Sequence, residues 1–513
     1  MLDDKVNDYK VVIAYDFGTT YSGASYAFTH NPIPEIFDVQ KWPHKGGHYY
    51  PKTPTLSVYK RANPSVLRDW GHGAKKVMLR PHAEKENILL KNFKLDLDET
   101  LHDYVLDDIL KGFATNYDPQ LFRYCLTVPA MWSDLAKYSM RRAAIRAALI
   151  KETDPPDKLM LISEPEAAAL YCERMCEQVN LRKGDRILIC DAGGGTVDLT
   201  VFEVLTEEGR YKRSQHLKEI AKGMGESCGS VFLDENFRLL LQEKLSEQYD
   251  KIPAAALNNL MEQFVDNIKP EFDGLDDHYL NLPAIVNLED LMIDDCSLDE
   301  GTLVLRANEL KEKVFEPIIQ RVLSLLTKQY EQISDRETPI DCIFLVGGFG
   351  SSNYLYERVQ QVFGNRVRQI LCPPRAAMAV VRGAVYFGLD PRVIISRVSR
   401  RTYGINAGLP FDESRDPISS RIVRPDGSVR CTSRFLPFVQ KGDEVPVDHC
   451  ITERMFVYYG SMPSTDIILY ATDSDRLPRY YDSPDVHQVA AITVPIPYIP
   501  NATKGEKVTY TVR

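Results

Sequence analysis

The residues best suited to chemistry in this sequence are two aspartates, each followed at once by a glycine- and threonine-rich turn. Cys190-Asp191-Ala192-Gly193-Gly194-Gly195-Thr196-Val197-Asp198 sets three consecutive glycines between carboxylates. The N–H groups exposed in such a turn cradle anions, and without Cβ atoms the backbone can approach a ligand closely. Carboxylates beside a phosphate repel it unless a cation intervenes, so the combination predicts a nucleotide phosphate together with a hard ion such as Mg²⁺. Asp16-Phe17-Gly18-Thr19-Thr20 repeats the pattern, 191 − 16 = 175 residues earlier. One such turn is a weak signal. Two copies a domain's length apart imply duplicated halves facing each other across a ligand.

The flanking residues supply the elements that hold these turns. Lys10 to Tyr15 and Arg186 to Ile189 are apolar runs of the kind found in strands buried on both faces. Tyr21 to Phe28 and Leu199 to Val204 alternate as second strands. Between the copies, Pro51 to Val58 and Phe122 to Val128 read as strands, and Lys85 to Lys94 as the end of a helix. Ser133 is the expected N-cap of a helix running to Ile150. Leu159 to Ser163 is a strand, and Glu164-Pro165-Glu166 opens the next helix, where proline is tolerated in the first turn. After the central motif, a loop through Gly225 and Cys228-Gly229-Ser230 leads into a helix near Val231. Amphipathic helices are expected across 236–269 and 307–335. Asp341 to Val346 is a strand entering Gly347-Gly348-Phe349-Gly350, with a helix from about Asn353, an arrangement in which a helix N-terminus meets an anion or the polar edge of a nucleotide. From about 391 the chain changes to short strands divided by Gly, Pro, Asp and Ser, as in an antiparallel β-sandwich.

Composition narrows the class. The 513 residues carry 62 basic against 72 acidic side chains, a formal charge of −10 that argues against nucleic-acid and anionic-membrane partners. The ten cysteines include no CxxC and form no disulfide framework, which favours a reducing cytoplasmic or nuclear location. No apolar window is long enough to span a membrane, and the polar N-terminus has no signal core. Dispersed histidines give no zinc pattern.

Five stretches carry a family resemblance, in this order: Tyr15-Asp16-Phe17-Gly18-Thr19-Thr20-Tyr21-Ser22, Thr127-Val128-Pro129-Ala130, Ser163-Glu164-Pro165-Glu166-Ala167-Ala168-Ala169, Asp191 to Asp198, and Leu345-Val346-Gly347-Gly348-Phe349. Over roughly residues 10 to 390 the chain resembles the ATPase domain of the seventy-kilodalton heat-shock proteins, the DnaK-like chaperones of the actin and sugar-kinase superfamily, in a divergent form. The resemblance implies an α/β fold, a two-lobed actin-like ATPase of duplicated ribonuclease-H-like domains (10–185 and 186–390), followed by a short β-rich partner-binding domain (391–513). It implies ATP or ADP with Mg²⁺, and slow hydrolysis of ATP by water to ADP and phosphate. Asp16 and Asp191 would hold the Mg²⁺ through water. Gly18, Thr19, Thr20 and the backbone of Gly193, Gly194, Gly195 and Thr196 would cradle phosphates, with Gly229 and Ser230 beside them. Lys94 matches the family lysine near the γ-phosphate. Glu164, Thr196 and Asp198 match residues that position metal and attacking water. Lys269, Gly347 and Gly348 match the adenosine side. The implied partners are a protein or peptide client and co-chaperones.

The sequence also departs from that family. Gly229-Ser230 replaces a Gly-Gly pair, and Pro270 stands where an arginine stacks on adenine, which leaves adenine specificity open. Leu389-Asp390-Pro391-Arg392-Val393-Ile394 replaces the acidic-leucine linker, so coupling between nucleotide and partner domain does not follow. The β-rich domain is short, has no helical lid, and its last strand runs into the chain end, as in a truncated chain. Two other functions fit the same residues. A small-molecule kinase of the superfamily would use Asp134 as base, and a pseudo-ATPase scaffold would sense nucleotide without useful turnover.

Overall fold

The continuous apolar runs ending in Asp16 and Asp191 become strands whose residues are almost all buried, which is why they tolerate no polar alternation. The computed structural model describes residues 9–31, 34–46, 50–80, 82–91, 118–175, 181–205, 216–283, 298–299, 302–334, 339–424, 426–447, 449–460, 463–496 and 498–512. The chain forms two units, Met1–Leu217 with Gly223–Val393, and Lys218–Lys222 with Ile394–Arg513.

Two sheets of the same design organise the first unit. Strands β1 (Val11–Phe17) and β2 (Tyr21–Phe28) form an antiparallel hairpin bordered by β3 (Phe37–Asp38). On the other side of β1, β4 (Phe122–Val128) and then β5 (Leu159–Ser163) add in parallel. The order is β3-β2-β1-β4-β5. In the second sheet, β6 (Arg186–Ala192) and β7 (Val197–Leu205) form the hairpin, β8 (His216–Glu226) borders β7, and β9 (Cys342–Val346) and β10 (Gln369–Leu371) add in parallel to β6. The order β10-β9-β6-β7-β8 repeats the first, so the duplication expected from two Asp-Gly-Thr turns extends to the strand pairing around each. Parallel addition places the C-terminal ends of β1, β4, β6 and β9 on the side where ligands bind in open α/β sheets.

Helices pack around these sheets and the smaller three-stranded ones. They include α1 (Gly71–Met78), α2 (Asp134–Arg146), α3 (Glu164–Met175), α4 (Val231–Leu245), α5 (Ala254–Gln263), α6 (Asn353–Phe363) and α7 (Ala379–Leu389). Ser133 caps α2 by accepting the Ala136 N–H at 3.2 Å. The helix stops at Arg146 rather than Ile150, with Ala148 left-handed at φ 55°. At Gly383 a side chain would overlap the Ala167 carbonyl, so α7 and α3 pack backbone against backbone. Two π-turns, Phe264–Ile268 after α5 and Lys311–Phe315, interrupt the long amphipathic stretches. Phe264 stacks on Phe237 with ring centroids 4.0 Å apart, and Phe315 on Phe272 at 3.9 Å.

The expected helix across 85–94 is a correction. Among the described residues helix covers only Ala83–Glu86, and Asn87–Lys91 is a strand paired with Leu56–Lys60, because Ile88, Leu89 and Leu90 complete a small three-stranded sheet; residues 92–94 lie outside the described ones. Gly347–Gly350, read as a loop, forms a turn of helix.

The second unit is β-rich. Strands β11 (Ile394–Val398), β12 (Thr402–Pro410), β13 (Arg421–Val423), β14 (Val429–Val439), β15 (Glu444–Pro446), β16 (Glu453–Tyr458), β17 (Ser464–Thr472), β18 (Val486–Pro495) and β19 (Lys507–Val512) build it. An antiparallel sheet runs β13-β14-β12-β17-β18, and β16 pairs with β19. Lys218–Lys222, the middle of β8, belongs here and adjoins β11. Its buried Glu219 accepts from the Val398 N–H at 3.1 Å and pairs with Arg400 at 3.2 Å. No helix among the described residues is long and apolar enough to cross a membrane.

Candidate nucleotide site

The two turns meet. A side chain at Gly194 would collide with Thr20 Oγ1, and a Cβ at Gly195 would lie 2.7 Å from Thr19 Oγ1, so only glycines allow the turns this close. Around them opens a cleft of about 270 Å³. Asp16, Gly18, Thr19 and Thr20 line it from the first sheet, and Asp191 and Gly193 to Thr196 from the second. Glu164, Ser230, Lys269, Gly347 and Gly348 also line it. Asp198 lies opposite Asp191 in the β6–β7 hairpin and is buried, but it and Gly229 are not lining residues. Lys94 lies outside the described residues. Asp134 stands in the first turn of α2 and does not line the cleft, which withholds support from the kinase reading.

Backbone hydrogen bonds fix the glycine turn. Gly229, Ser230 and Val231, entering α4, donate to the carbonyls of Gly195, Gly193 and Gly194 at 3.2, 3.1 and 2.9 Å. The N–H of Gly229 is therefore spent on the protein. In a trans peptide C=O and N–H point oppositely, so the N–H groups of Gly194, Gly195 and Thr196 face away from α4. Gly193 N–H closes the turn on the Thr196 carbonyl at 2.9 Å. The first turn is braced from another segment: Thr55 N–H donates to the Thr20 carbonyl and Thr55 Oγ1 to the Gly18 carbonyl, each at 2.8 Å.

Four acidic side chains, Asp16, Glu164, Asp191 and Asp198, are buried around these turns. Burial, then Glu164, Asp16 and Asp198, push the Asp191 carboxyl well above the usual carboxylate range, with Lys52 opposing. Asp16 accepts from Thr127 Oγ1 at 3.0 Å and is ion-paired to Lys52 Nζ. Burial alone would lower the Lys52 ammonium, but Asp16 and Tyr50 outweigh it and hold the group protonated. Lys269 Nζ is bound to Asp234 at 2.7 Å.

This donor set fits Mg²⁺ in one way. Among the described residues no three His, Cys, Asp or Glu side chains are grouped to cage an ion. Mg²⁺ characteristically takes one or two carboxylates and completes its shell with water and phosphate, and Asp16 and Asp191 at the cleft offer that. The lining residues that sequence reasoning did not single out are Tyr21, Tyr50, Lys52, Val265, Asp266, Phe349 and Val380. For Lys52 a faint signal existed, a lone lysine just before a run of small polar residues, Thr53, Thr55 and Ser57, all of which are buried.

Residues 99–408 match the family model described as "Hsp70 protein". The chain is 26% identical to human Heat shock 70 kDa protein 12A over 91% of its length and 82% of that protein's. It is 26% identical to human Heat shock 70 kDa protein 12B, covering 86% and 78%. To Chaperone protein DnaK of Psychrobacter cryohalolentis it is 26% identical over 55% of the chain and 40% of that protein. Among solved structures it is similar to MreB 5 of Spiroplasma citri bound to AMPPNP, with a TM-score of 0.47 and 14% identity, covering 74% of this chain and 96% of that one.

Proposed function

The chain belongs to the Hsp70 family, within the nucleotide-binding actin-like ATPase superfamily, and from that premise we propose that it binds Mg·ATP in this cleft and hydrolyses it slowly. The observation that carries the reading is the meeting of the two Asp-Gly-Thr turns at one cleft. Phosphoryl transfer to water is mostly positioning and charge neutralisation. The bound metal supplies part of that neutralisation. Asp16 and Asp191 hold it through water, and Thr19, Thr20 and the N–H groups of Gly194 to Thr196 hold phosphate oxygens. Glu164, which lines the cleft, orients the attacking water, and Asp198 acts through Asp191, which it faces across the β6–β7 hairpin; Lys94 matches the family lysine near the γ-phosphate. Gly347, Gly348 and Lys269 border the nucleoside.

The second unit is the partner-binding module. In it β12 and β17 pair only from Thr402 with Thr472 to Ile405 with Leu469, and beyond that a cavity of about 230 Å³ opens, lined by Asn406, Arg424 and Asp466 among others. Unpaired strand edges there suit an extended peptide client. None of the eight described cysteines is in a disulfide, in keeping with a reducing cytoplasmic or nuclear setting in which co-chaperones also act.

Titration calorimetry with Mg·ATP tests the nucleotide reading. The wild type binds, and Asp16→Ala combined with Asp191→Ala weakens binding by more than tenfold; unchanged binding in that variant would refute the site. Turnover that rises with added peptide separates a working chaperone ATPase from a nucleotide-sensing scaffold.

A further inference from the structure

Lys52 stands in the cleft, and the Asp-Gly-Thr scheme gives it no task. Its side chain is only 9% exposed, and its Nζ bonds Asp16 Oδ2. The position is built rather than incidental. A Cβ at Gly23 would lie 3.0 Å from Lys52 Cγ and 3.2 Å from Cε, so the bare glycine opposite Asp16 in β2 makes the groove for the lysine stem. The segment is stitched to the phosphate turn, since Thr53 pairs with Ser22 and Thr55 Oγ1 lies 2.9 Å from Ser22 Oγ as well as bonding Gly18.

A buried ammonium needs partners for all three of its N–H groups. Lys52 has one, Asp16, among the described residues. Asp16 also takes the Thr127 hydroxyl on its other oxygen. The cleft that Lys52 lines is walled by the donors Thr19, Thr20 and the glycine turn and also by the carboxylates of Glu164, Asp191 and Asp266, none of which is hydrogen-bonded to the two remaining ammonium donors. Donors set beside carboxylates that would hold a cation suit a ligand that brings its own anionic oxygens.

We propose that Lys52 is a phosphate-binding residue, a cation supplied by the protein that bridges Asp16 to the terminal phosphate oxygens of the nucleotide. This rests on the nucleotide reading of the same cleft. Its consequence is that ADP and ATP retain much of their affinity when divalent ions are removed. A lysine is a compact point charge suited to that task.

The test is calorimetry with ADP on the whole chain, in Mg²⁺ and in EDTA. The wild type in EDTA binds within about tenfold of its affinity in Mg²⁺. Lys52→Met loses about 10- to 100-fold in EDTA, the range of one or two charged hydrogen bonds, and loses less in Mg²⁺. Lys52→Arg keeps most of the metal-free binding. A wild type that binds in Mg²⁺ and not in EDTA overturns the proposal and leaves the nucleotide site standing, and this arm needs no variant to fold. Equal metal-free binding by Lys52→Met and wild type also overturns it. No binding under either condition overturns both readings.

Discussion

At Gly347, where β9 ends, the backbone has φ 85°, and a Cβ would overlap the Ala192 carbonyl and lie 2.7 Å from Asp191 Oδ1. Both the left-handed conformation and the contact forbid a side chain. Gly347→Ala is expected to cost about 1–3 kcal/mol, read as a lower melting temperature, and to weaken nucleotide binding by displacing Asp191. A change at Gly184, equally left-handed at φ 90° but with open space around it, meets only the conformational cost. Single residues were legible in the sequence where their neighbours repeated. Asp16 and Asp191 announce themselves because each heads a glycine-threonine turn after an apolar run. Lys52 does not, because its place depends on Thr53 registering with Ser22 and on the empty position at Gly23, neither of which is local in sequence.

Between elements, Lys75 at the end of α1 reaches Glu262 at the end of α5 (3.4 Å) and Asp266 in the π-turn that follows (3.7 Å). Asp266 lines the cleft, so these partly exposed ion pairs tie α1 to one of its walls. Pairs of this kind contribute about 0.2–1 kcal/mol. Lys75→Glu is therefore expected to speed release of a fluorescent ADP analogue by a factor of about two to five, less at high salt, with little change in thermal stability. The strands and most helix starts were legible from apolar runs and from caps such as Ser133. Helix interruptions were not. The π-turns at Phe264–Ile268 and Lys311–Phe315 sit inside unbroken amphipathic patterns, and stacking of Phe264 on Phe237 and of Phe315 on Phe272 accompanies them.

For the molecule as a whole, acid is expected to act on the second of the two units through one carboxylate. In the second, the side chain of Asp416 is fully buried, which by itself raises its proton affinity. The Asp412 N–H, Arg479, Tyr480 and Arg434 outweigh this and hold its pKa at about 2. A depressed carboxyl stabilises the fold fully above its unfolded value of 3.8 and loses that contribution as pH falls toward 2. Acid titration followed by hydrogen exchange is expected to show the second unit losing stability across this window, and Asp416→Asn to flatten the loss while lowering stability at neutral pH. The makeup of that unit was only partly legible. Its strands follow from the short β-branched runs, but a linear reading cannot assign Lys218–Lys222, the middle of β8, to residues that begin 394 − 222 = 172 positions later.

The carbonyls of Gly193, Gly194 and Gly195 are already taken by the first N–H groups entering α4. Three glycines in a row would otherwise be among the most mobile backbone in the protein, and ordering them at the moment of binding would cost roughly 1–2 kcal/mol for each residue. Here that entropy is surrendered during folding. The turn greets its ligand as a rigid template, so association needs no loop closure, and the flexibility the glycines permit is used only to let two halves of a duplicated fold touch.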